Sequence, residues 1–483
     1  MAENLGISVK KNQNFSDWYT QVIQKAELAD IRYNVKGFIV FQPWSVLSME
    51  KMYTYLEKTL QKKGHKPYWF PTVIPEKNLL LETSHIAGFT PEVFWITTHG
   101  NNDPIEEKLA LRPTSETAFY HMFSYWIRSY KDLPFKTYQR AQVFRYETKA
   151  TRPFLRSREF HWIETHCAHA TKEEALKQVY EDMETTQEIL HDTYGIPFIF
   201  FERPEWDTFP GAERTFAADA LNPDGKVVQQ PSTHVLKQSF SKAFNVSYKD
   251  KEGKEQPAWI TCYGPAISRI FANVISTHGD DKGLRFPWKI APREISIVLI
   301  NPTETLRKKG KKIKEQLEKE EFSVEIDDSE KTFGEKCYFW ELKGVPLRIE
   351  IGEKEHKEKK LTLFRRDLGK KITIKEKDLL KTVKSIATNF DKNIISQADQ
   401  VLTNAIVIAK EKKAITEAIA LGKIVQCEFC SVTNEGKKCA KWIEKETQAY
   451  VRGTRLDETK KVKGVCVICG KKASAIVYIA RAY

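Results

Sequence analysis

Between Arg140 and Arg158 the chain carries Arg140, Arg145, Lys149, Arg152, Arg156 and Arg158, opposed by Glu147 and the adjoining Glu159. Guanidinium groups held on two strands and their connecting loop can grip phosphate or carboxylate oxygens bidentately. Taken alone, an arginine-rich hairpin is more often a solvated or structural surface. No G-x-x-x-x-G-K-[ST] or G-x-G-x-x-G run occurs, so a nucleotide bound here must be held by side chains, without a glycine-rich cradle. A second concentration lies near the end of the chain. Cys427, Cys430, Cys439, Cys466 and Cys469 crowd together, whereas Cys167, Cys262 and Cys337 stand alone. In so long a chain this argues for a metal site over a disulfide framework, and four thiolates at tetrahedral reach bind Zn²⁺. Spacing alone favours Cys427-x-x-Cys430 with Cys466-x-x-Cys469. Thr114-Ser115-Glu116 before apolar residues reads as a helix start, and its hydroxyl and carboxylate also suit a cationic amine.

The elements that position these groups follow from periodicity. Met49, Met52, Tyr53, Leu56 and Leu60 recur at helical spacing before Gly64, and Pro67 to Pro71 then reads as a short aromatic strand. Phe135–Tyr146 and Phe160–Cys167 are expected as an antiparallel pair around the loop Thr148–Arg158. Thr171 with Glu174 is a capping-box signature opening a long helix. Strand signals return at Lys226–Gln230 and Ala258–Cys262, followed by an apolar helix from Ser268 to His278. After Pro292, alternating strands and helices imply a separate α/β domain ending near Phe390. The expected division is 1–292, 293–390 and 391–483, in line with about three domains of roughly 150 residues. With 77 Lys and Arg against 64 Asp and Glu, the 483-residue chain carries a formal charge of +13, which favours polyanionic partners. The N-terminus has no apolar signal core and no run of about 18 apolar residues occurs, so a soluble intracellular protein is expected.

Order and spacing give the arginines a more specific meaning. Phe144-Arg145-Tyr146-Glu147 ends one strand, an arginine loop leads into a second, and Gly264 precedes Arg269 at the start of an apolar helix. This resembles the motif 2 and motif 3 pair of class II aminoacyl-tRNA synthetases, and the helix before Gly64 with the strand to Pro71 resembles their dimer-forming motif 1. Within that class, several stretches resemble the prolyl-tRNA synthetase family. They are Leu111-Arg112-Pro113-Thr114-Ser115-Glu116, Arg156-Ser157-Arg158-Glu159-Phe160 with Trp162 and Glu164, Pro210-Gly211-Ala212-Glu213, Gln229 to His234, and Gly344-Val345-Pro346-Leu347-Arg348. The branch resembled is the archaeal and eukaryotic one, since the cysteine-bearing C-terminus is present and Arg145 to Arg269 leaves no room for the large bacterial insertion. Another class II synthetase, chiefly threonyl, and a non-catalytic nucleic-acid-binding paralogue are the competing readings. Threonyl enzymes carry zinc in the catalytic core, and intact Arg145, Glu147 and Arg269 argue against a decayed paralogue.

The resemblance implies an α+β catalytic domain on an antiparallel sheet, then an α/β anticodon-binding domain and a C-terminal zinc-binding α/β domain. It implies activation of L-proline with ATP and transfer to tRNA(Pro), by a cytoplasmic homodimer. Thr114 and Glu116 would take the proline amine, with Trp162 and His234 around the ring. Arg145 would clamp the α-phosphate and Arg269 the γ-phosphate end, Arg145 touching proline as well. Glu147 would orient either the nucleotide or its Mg²⁺, and Arg156, Ser157, Gln229 and Ser232 would contact ATP. For structural Zn²⁺ the family comparison selects Cys430, Cys439, Cys466 and Cys469, leaving Cys427 as an extra thiol. Arg481-Ala482-Tyr483 resembles the family's C-terminal tyrosine, whose carboxylate is directed towards the catalytic domain. A pocket sized for pyrrolidine cannot exclude smaller side chains by overlap. Cysteine and alanine are therefore expected as weak substrates, without clearance of the mischarged tRNA.

Overall fold

The computed structural model describes residues 6–85, 92–147, 150–458 and 462–483. Helix α1 (Phe15–Lys25) and helix α2 (Pro43–Lys62) open the catalytic region. Met49, Met52, Tyr53, Leu56 and Leu60 of α2 are buried in the largest core cluster, as their helical spacing demands. The expected aromatic strand is much shorter than Pro67–Pro71. Only Lys66–Pro67 (β1) pairs, and prolines at 67 and 71 lack the N–H a longer ladder would need.

Helix α3 (Glu116–Trp126) precedes the antiparallel pair β2 (Phe135–Phe144) and β3 (Glu159–His169), which are in continuous register from Phe135↔Ala168 to Phe144↔Glu159. Helix α4 (Lys172–Thr186) starts at Thr171, whose hydroxyl accepts from Glu174 N at 3.2 Å. The capping box is only half formed, because the Glu174 carboxylate accepts from Ala170 N instead of Thr171 N. Strands β4 (Ile199–Glu202), β5 (Ala212–Leu221), β6 (Lys226–Leu236) and β7 (Trp259–Tyr263) complete the floor, and helix α5 (Ile267–His278) packs nearly all its residues into the core. A three-stranded sheet of Val73–Pro75, Asp103–Leu111 and Trp95–His99 lies apart from it.

A second sheet, in order β9-β8-β10-β11-β12, contains β8 (Ile295–Leu299), β9 (Val324–Asp327), β10 (Leu347–Ile351), β11 (Lys360–Arg365) and β12 (Lys370–Lys375). Helices α6 (Glu304–Glu318) and α7 (Phe333–Leu342) accompany its first three strands, which are parallel; β11 and β12 add an antiparallel edge. The domain end expected near Phe390 falls inside helix α8 (Leu379–Ala405), which runs unbroken across it. Its buried Val383, Ile386, Phe390 and Ile394 belong to the second core, and Leu402 reaches a third.

The C-terminal strands β13 (Ile406–Ile408), β14 (Ile424–Phe429), β15 (Tyr450–Arg455) and β16 (Ala475–Ala482) do not form a detached sheet. They extend the catalytic one edge to edge, giving eleven strands in the order β13-β14-β16-β15-β4-β5-β6-β7-β3-β2-β1. The turn after β5 packs against the turn before β14 at two glycines, Gly225 (φ +76) and Gly422 (φ +71); a Cβ on Gly225 would stand 2.3 Å from Gly422 Cα. Backbone cannot step aside there. Gly225→Ala is therefore expected to cost about 2 to 4 kcal/mol, from left-handed strain plus overlap. Urea unfolding reads this, and an unchanged midpoint would contradict the packing described.

Candidate active site

Strand β3 turns one edge of its pleat upward, so Phe160, Trp162, Glu164 and His166 at successive alternate positions line a cavity of about 360 Å³. Strand β6 adds Gln229, Ser232 and His234. Arg269 rises from the first turn of α5, Thr114 and Glu116 come from the start of α3, and Arg145 follows β2. Beneath the floor, α4 is clipped to the strands by polar groups at helical spacing. Asp182 accepts from Thr233 Oγ1 (2.7 Å) and Gln178 Nε2 (2.9 Å), and Thr186 meets Tyr263 OH at 2.9 Å. Burial pushes the Asp182 carboxyl up to about 7.

One end of the cavity is acidic. The nearest ligand atoms of Glu116, Glu164 and His166 lie within 4.8 Å of one another, all three residues being buried. Glu116 opens α3, but Ser115 makes no capping bond; its hydroxyl accepts from Gln139 Nε2 at 2.7 Å. The same amide donates to Glu164 Oε1 at 2.7 Å, His166 Nε2 meets Glu164 Oε2 at 3.3 Å, and Tyr120 OH meets His166 Nδ1 at 2.9 Å. Burial raises the Glu164 carboxyl, but His166 and the Ser115 and Gln139 donors outweigh it and hold it below its usual value. The Thr114 hydroxyl donates to Glu116. Two carboxylates set in a recess walled by Trp162 match a cation with an apolar body.

His234 is fixed at both nitrogens, Nδ1 to Thr215 Oγ1 and Nε2 to Ser232 Oγ, each at 3.0 Å. Phe209 packs on its ring with centroids 4.8 Å apart. Burial, then the positive charge of Arg203, pushes its pKa down to about 3. Trp162 Nε1 is buried and finds no protein acceptor among the described residues.

The other end is cationic and opens into a second cavity of about 660 Å³ that shares Arg145, Gln229 and Arg269 with the first and adds Glu147, Arg152, Arg156 and Tyr483. Arg145 Nε donates to Pro113 O at 3.0 Å, and its guanidinium lies 5.3 Å from the Phe160 ring centre and 5.8 Å from that of Trp162. Arg156 Nε pairs with Glu147 Oε2 at 3.1 Å. Arg269 Nη1 donates to Gln229 O at 3.3 Å, and burial followed by repulsion from Arg145 and Arg156 pushes its guanidinium down to about 10. Four guanidinium groups, those of Arg145, Arg152, Arg156 and Arg269, lining one space with Glu147 form a site for a polyanion.

The sequence-derived set therefore converges, with one departure: Ser157 is buried, donates to Glu159 O at 2.7 Å and lines neither cavity. Of the arginine loop, Lys149 lies outside the described residues. Sequence reasoning missed His166, Arg203, Asp207, Phe209 and Thr215 as lining residues. For His166 the signal was present, since it continues the period-2 series of Phe160, Trp162 and Glu164. Arg203 and Asp207 arrive from β4's far end, which no local pattern reveals.

In the C-terminal domain four thiols converge, those of Cys430, Cys439, Cys466 and Cys469, with Sγ atoms within 4.8 Å. Cys439 Sγ is 3.7 Å from Cys430 Sγ and 4.0 Å from Cys466 Sγ. A tetrahedron of 2.3 Å Zn–S bonds has edges of about 3.8 Å, so the donor set fits zinc. Cys439 is delivered by helix α9 (Lys437–Thr447). Cys427 instead points from β14 into the apolar core, where burial pushes its thiol up to about 12. The quartet suggested by spacing alone is not the one that assembles.

Comparison with known proteins agrees with this layout. Residues 94–278 match the model for the tRNA synthetase class II core domain (G, H, P, S and T), 294–386 that for the anticodon binding domain, and 413–483 that for the prolyl-tRNA synthetase C-terminal domain. Among similar sequences, the proline--tRNA ligase of Thermofilum pendens is 45% identical over 99% of both chains. That of Methanopyrus kandleri is 40% identical over 97% of this chain and 96% of its own. Among solved structures, Giardia lamblia prolyl-tRNA synthetase in complex with prolyl-adenylate superposes with a TM-score of 0.95 at 35% identity, covering 99% of this chain and 100% of that one. The Cryptosporidium parvum enzyme complexed with L-proline and AMP gives 0.92 at 31% identity, covering 100% and 98%.

The buried environment of His234 yields a direct expectation. Its folded pKa of about 3 lies below the unfolded value near 6.5, so its ring stays neutral and it lowers stability only as pH falls below 6.5. The His234 ring resonance in an NMR titration should not move between pH 8 and pH 5. A titration midpoint near 6.5 would contradict the assigned packing.

Proposed function

The chain belongs to the prolyl-tRNA synthetase family, and on that premise we propose how its residues divide the work of activating L-proline with ATP and passing it to tRNA(Pro). The observation that carries the reading is a single cavity with an acidic recess at one end and unbalanced guanidinium groups at the other. Glu116 and Thr114 take the cationic secondary amine of proline in the recess, and Trp162 and His234 flank the ring. A neutral His234 suits this role, because a charged ring would repel the amine. Glu164 and His166 brace the recess through the Gln139 and Tyr120 hydrogen bonds.

Proline's carboxylate then points towards Arg145. A carboxylate oxygen attacks the α-phosphorus of ATP, a P–O bond forms, the bond to pyrophosphate breaks, and prolyl-adenylate results. Negative charge on the α-phosphate oxygens is met by Arg145, which Pro113 O and the Phe160 and Trp162 rings hold in place. Arg269 and Arg156 serve the polyphosphate, Gln229 and Ser232 contact the nucleotide, and Glu147 orients it or the Mg²⁺ that travels with it. In the second step a terminal ribose hydroxyl of the tRNA attacks the adenylate carbonyl and AMP leaves. The adenylate is already activated, so no strong base is required.

Cys430, Cys439, Cys466 and Cys469 would hold one Zn²⁺, which supplies folding energy to the C-terminal domain and takes no part in the chemistry. The basic α/β domain is the surface for the anticodon. Two copies are expected to associate through the motif 1 region. The face of α2 away from the core presents Val46, Leu47 and Tyr55, and the adjoining Trp69 is 90% exposed, a large apolar contribution for a lone chain to leave in water. Among the described residues no helix is long and apolar enough to cross a membrane.

Proline-dependent exchange between ATP and labelled pyrophosphate tests the assignment. Arg145→Ala should lose at least about 100-fold in exchange rate while remaining folded, since the clamp acts on charge developed in the transition state. Near-normal exchange in the folded variant would overturn it. For the metal, Cys439→Ser should lose zinc and lower the unfolding temperature, while Cys427→Ser keeps one Zn²⁺ per chain by atomic absorption. The reverse pattern would show that the wrong four thiols were chosen.

A further inference from the structure

At the seam between the catalytic and C-terminal domains lies a buried ion triad. Asp219 of β5 accepts from Arg203 Nη1 (3.0 Å) and Nη2 (2.7 Å) on one side and from Arg452 Nε (2.6 Å) and Nη2 (3.1 Å) on the other. Arg203 Nη1 also donates to the Arg452 carbonyl at 2.8 Å. Arg452 belongs to β15, in the domain that carries the cysteine quartet. Its aim depends on a bulge: the β15–β16 register slips between Val451 and Gly453, and Gly453 sits at φ +128 with its Cα so close to β4 that a Cβ would stand 2.0 Å from Glu202 O. A bulge of this kind re-aims the neighbouring side chain.

The triad does not end at the seam. Arg203 lines the active-site cavity, and its Nη2 donates to Gln229 Oε1 at 3.2 Å. Asp219 and Gln229 are direct cross-strand partners on β5 and β6, so both side chains leave the same face of the sheet. A glutamine amide has two ends of opposite polarity. With the carbonyl end taken by Arg203, the NH₂ end of Gln229 is left as a donor beside Arg145 and Arg269, where anionic oxygens must sit. Arg203 alone cannot guarantee this, because a buried carboxylate shared by two guanidinium groups is fixed only while both are present. The Asp219 carboxyl lies near 2, burial being outweighed first by Arg203 and then by Arg452.

We propose that Arg452 of the C-terminal domain is a positioning residue of the active site, acting through Asp219 and Arg203 to fix the orientation of the Gln229 amide. The C-terminal domain is thereby a working part of the catalytic domain as well as its neighbour. This rests on Gln229 contacting the nucleotide, and the test separates the two claims.

Arg452→Gln and Arg452→Lys are made in the full chain, each with Gln229 intact and with Gln229→Ala, and kcat and KM for pyrophosphate exchange are measured alongside zinc content. Disturbing a positioned donor should lower kcat by roughly 10 to 100-fold, with KM for proline and zinc content unchanged. In the Gln229→Ala background the same Arg452 changes should cost nothing further. Equal losses in both backgrounds, or full activity in a folded Arg452 variant, would overturn the relay while leaving the Gln229 assignment standing. A Gln229→Ala enzyme of normal rate would overturn the assignment and the relay with it. If Arg452→Gln does not fold, Arg452→Lys decides by the same comparison, since it retains one cation for Asp219.

Discussion

Arg145 and Arg156 both repel Arg269, and the protein holds the three close, with Glu147 paired to Arg156 and attracting Arg145 and Arg269 as well. Side chains this long would splay into solvent unless each were tethered. Arg145 is tied to a backbone carbonyl of the Thr114 loop, Arg156 to Glu147, and Arg269 to the carbonyl of Gln229. All three tethers end on the antiparallel sheet or the segments flanking it, so the sheet's register sets the spacing of the charges. A polyanion would relieve the repulsion of assembling them, which is why their geometry already describes a ligand.

The opposite end of the cavity solves the complementary problem. Glu116 and Glu164 are buried close together although like charges repel, and both must remain available to a cation. The Gln139 amide and the His166 ring bond Glu164 and the Thr114 hydroxyl donates to Glu116, leaving further acceptor positions on both carboxylates. A substrate that is cationic at one atom and anionic a few bonds away spans the two ends. The C-terminal strands contribute by extending the same sheet, and the closing residue Tyr483 lines the second cavity, its N–H donating to Val227 O at 3.2 Å.

Much of this was legible in the chain itself. Period-2 stretches gave β2 and β3 within a few residues, helical spacing gave α2, and the order of the arginine motifs pointed to the chemistry. What escaped has physical causes. Helix α8 runs unbroken across residue 390, where a division is expected from the sequence, because local pattern reports helix and not which core it packs against. The thiol quartet selected by the family resemblance, Cys430, Cys439, Cys466 and Cys469, is the one that converges; spacing alone ranks Cys427 above Cys439 because it cannot show that α9 carries Cys439 inward while Cys427 lies in the apolar core. Arg203, just past β4, and Asp219 of β5 are 16 residues apart, but Arg452 comes from β15, 233 residues beyond Asp219; only strand pairing brings it to them.

Selectivity follows from the same balance of charge and volume. On the proposed assignment the recess would grip any primary or secondary α-amine that fits, so discrimination against smaller amino acids would rest on lost apolar contact, worth roughly 10 to 200-fold. Amino-acid-dependent pyrophosphate exchange by the full chain, run separately with each of the twenty standard amino acids, is the most direct measurement. Proline should support the fastest exchange by a wide margin, with alanine and cysteine trailing within that range. Exchange driven best by threonine or another amino acid, or none with any, would contradict the account.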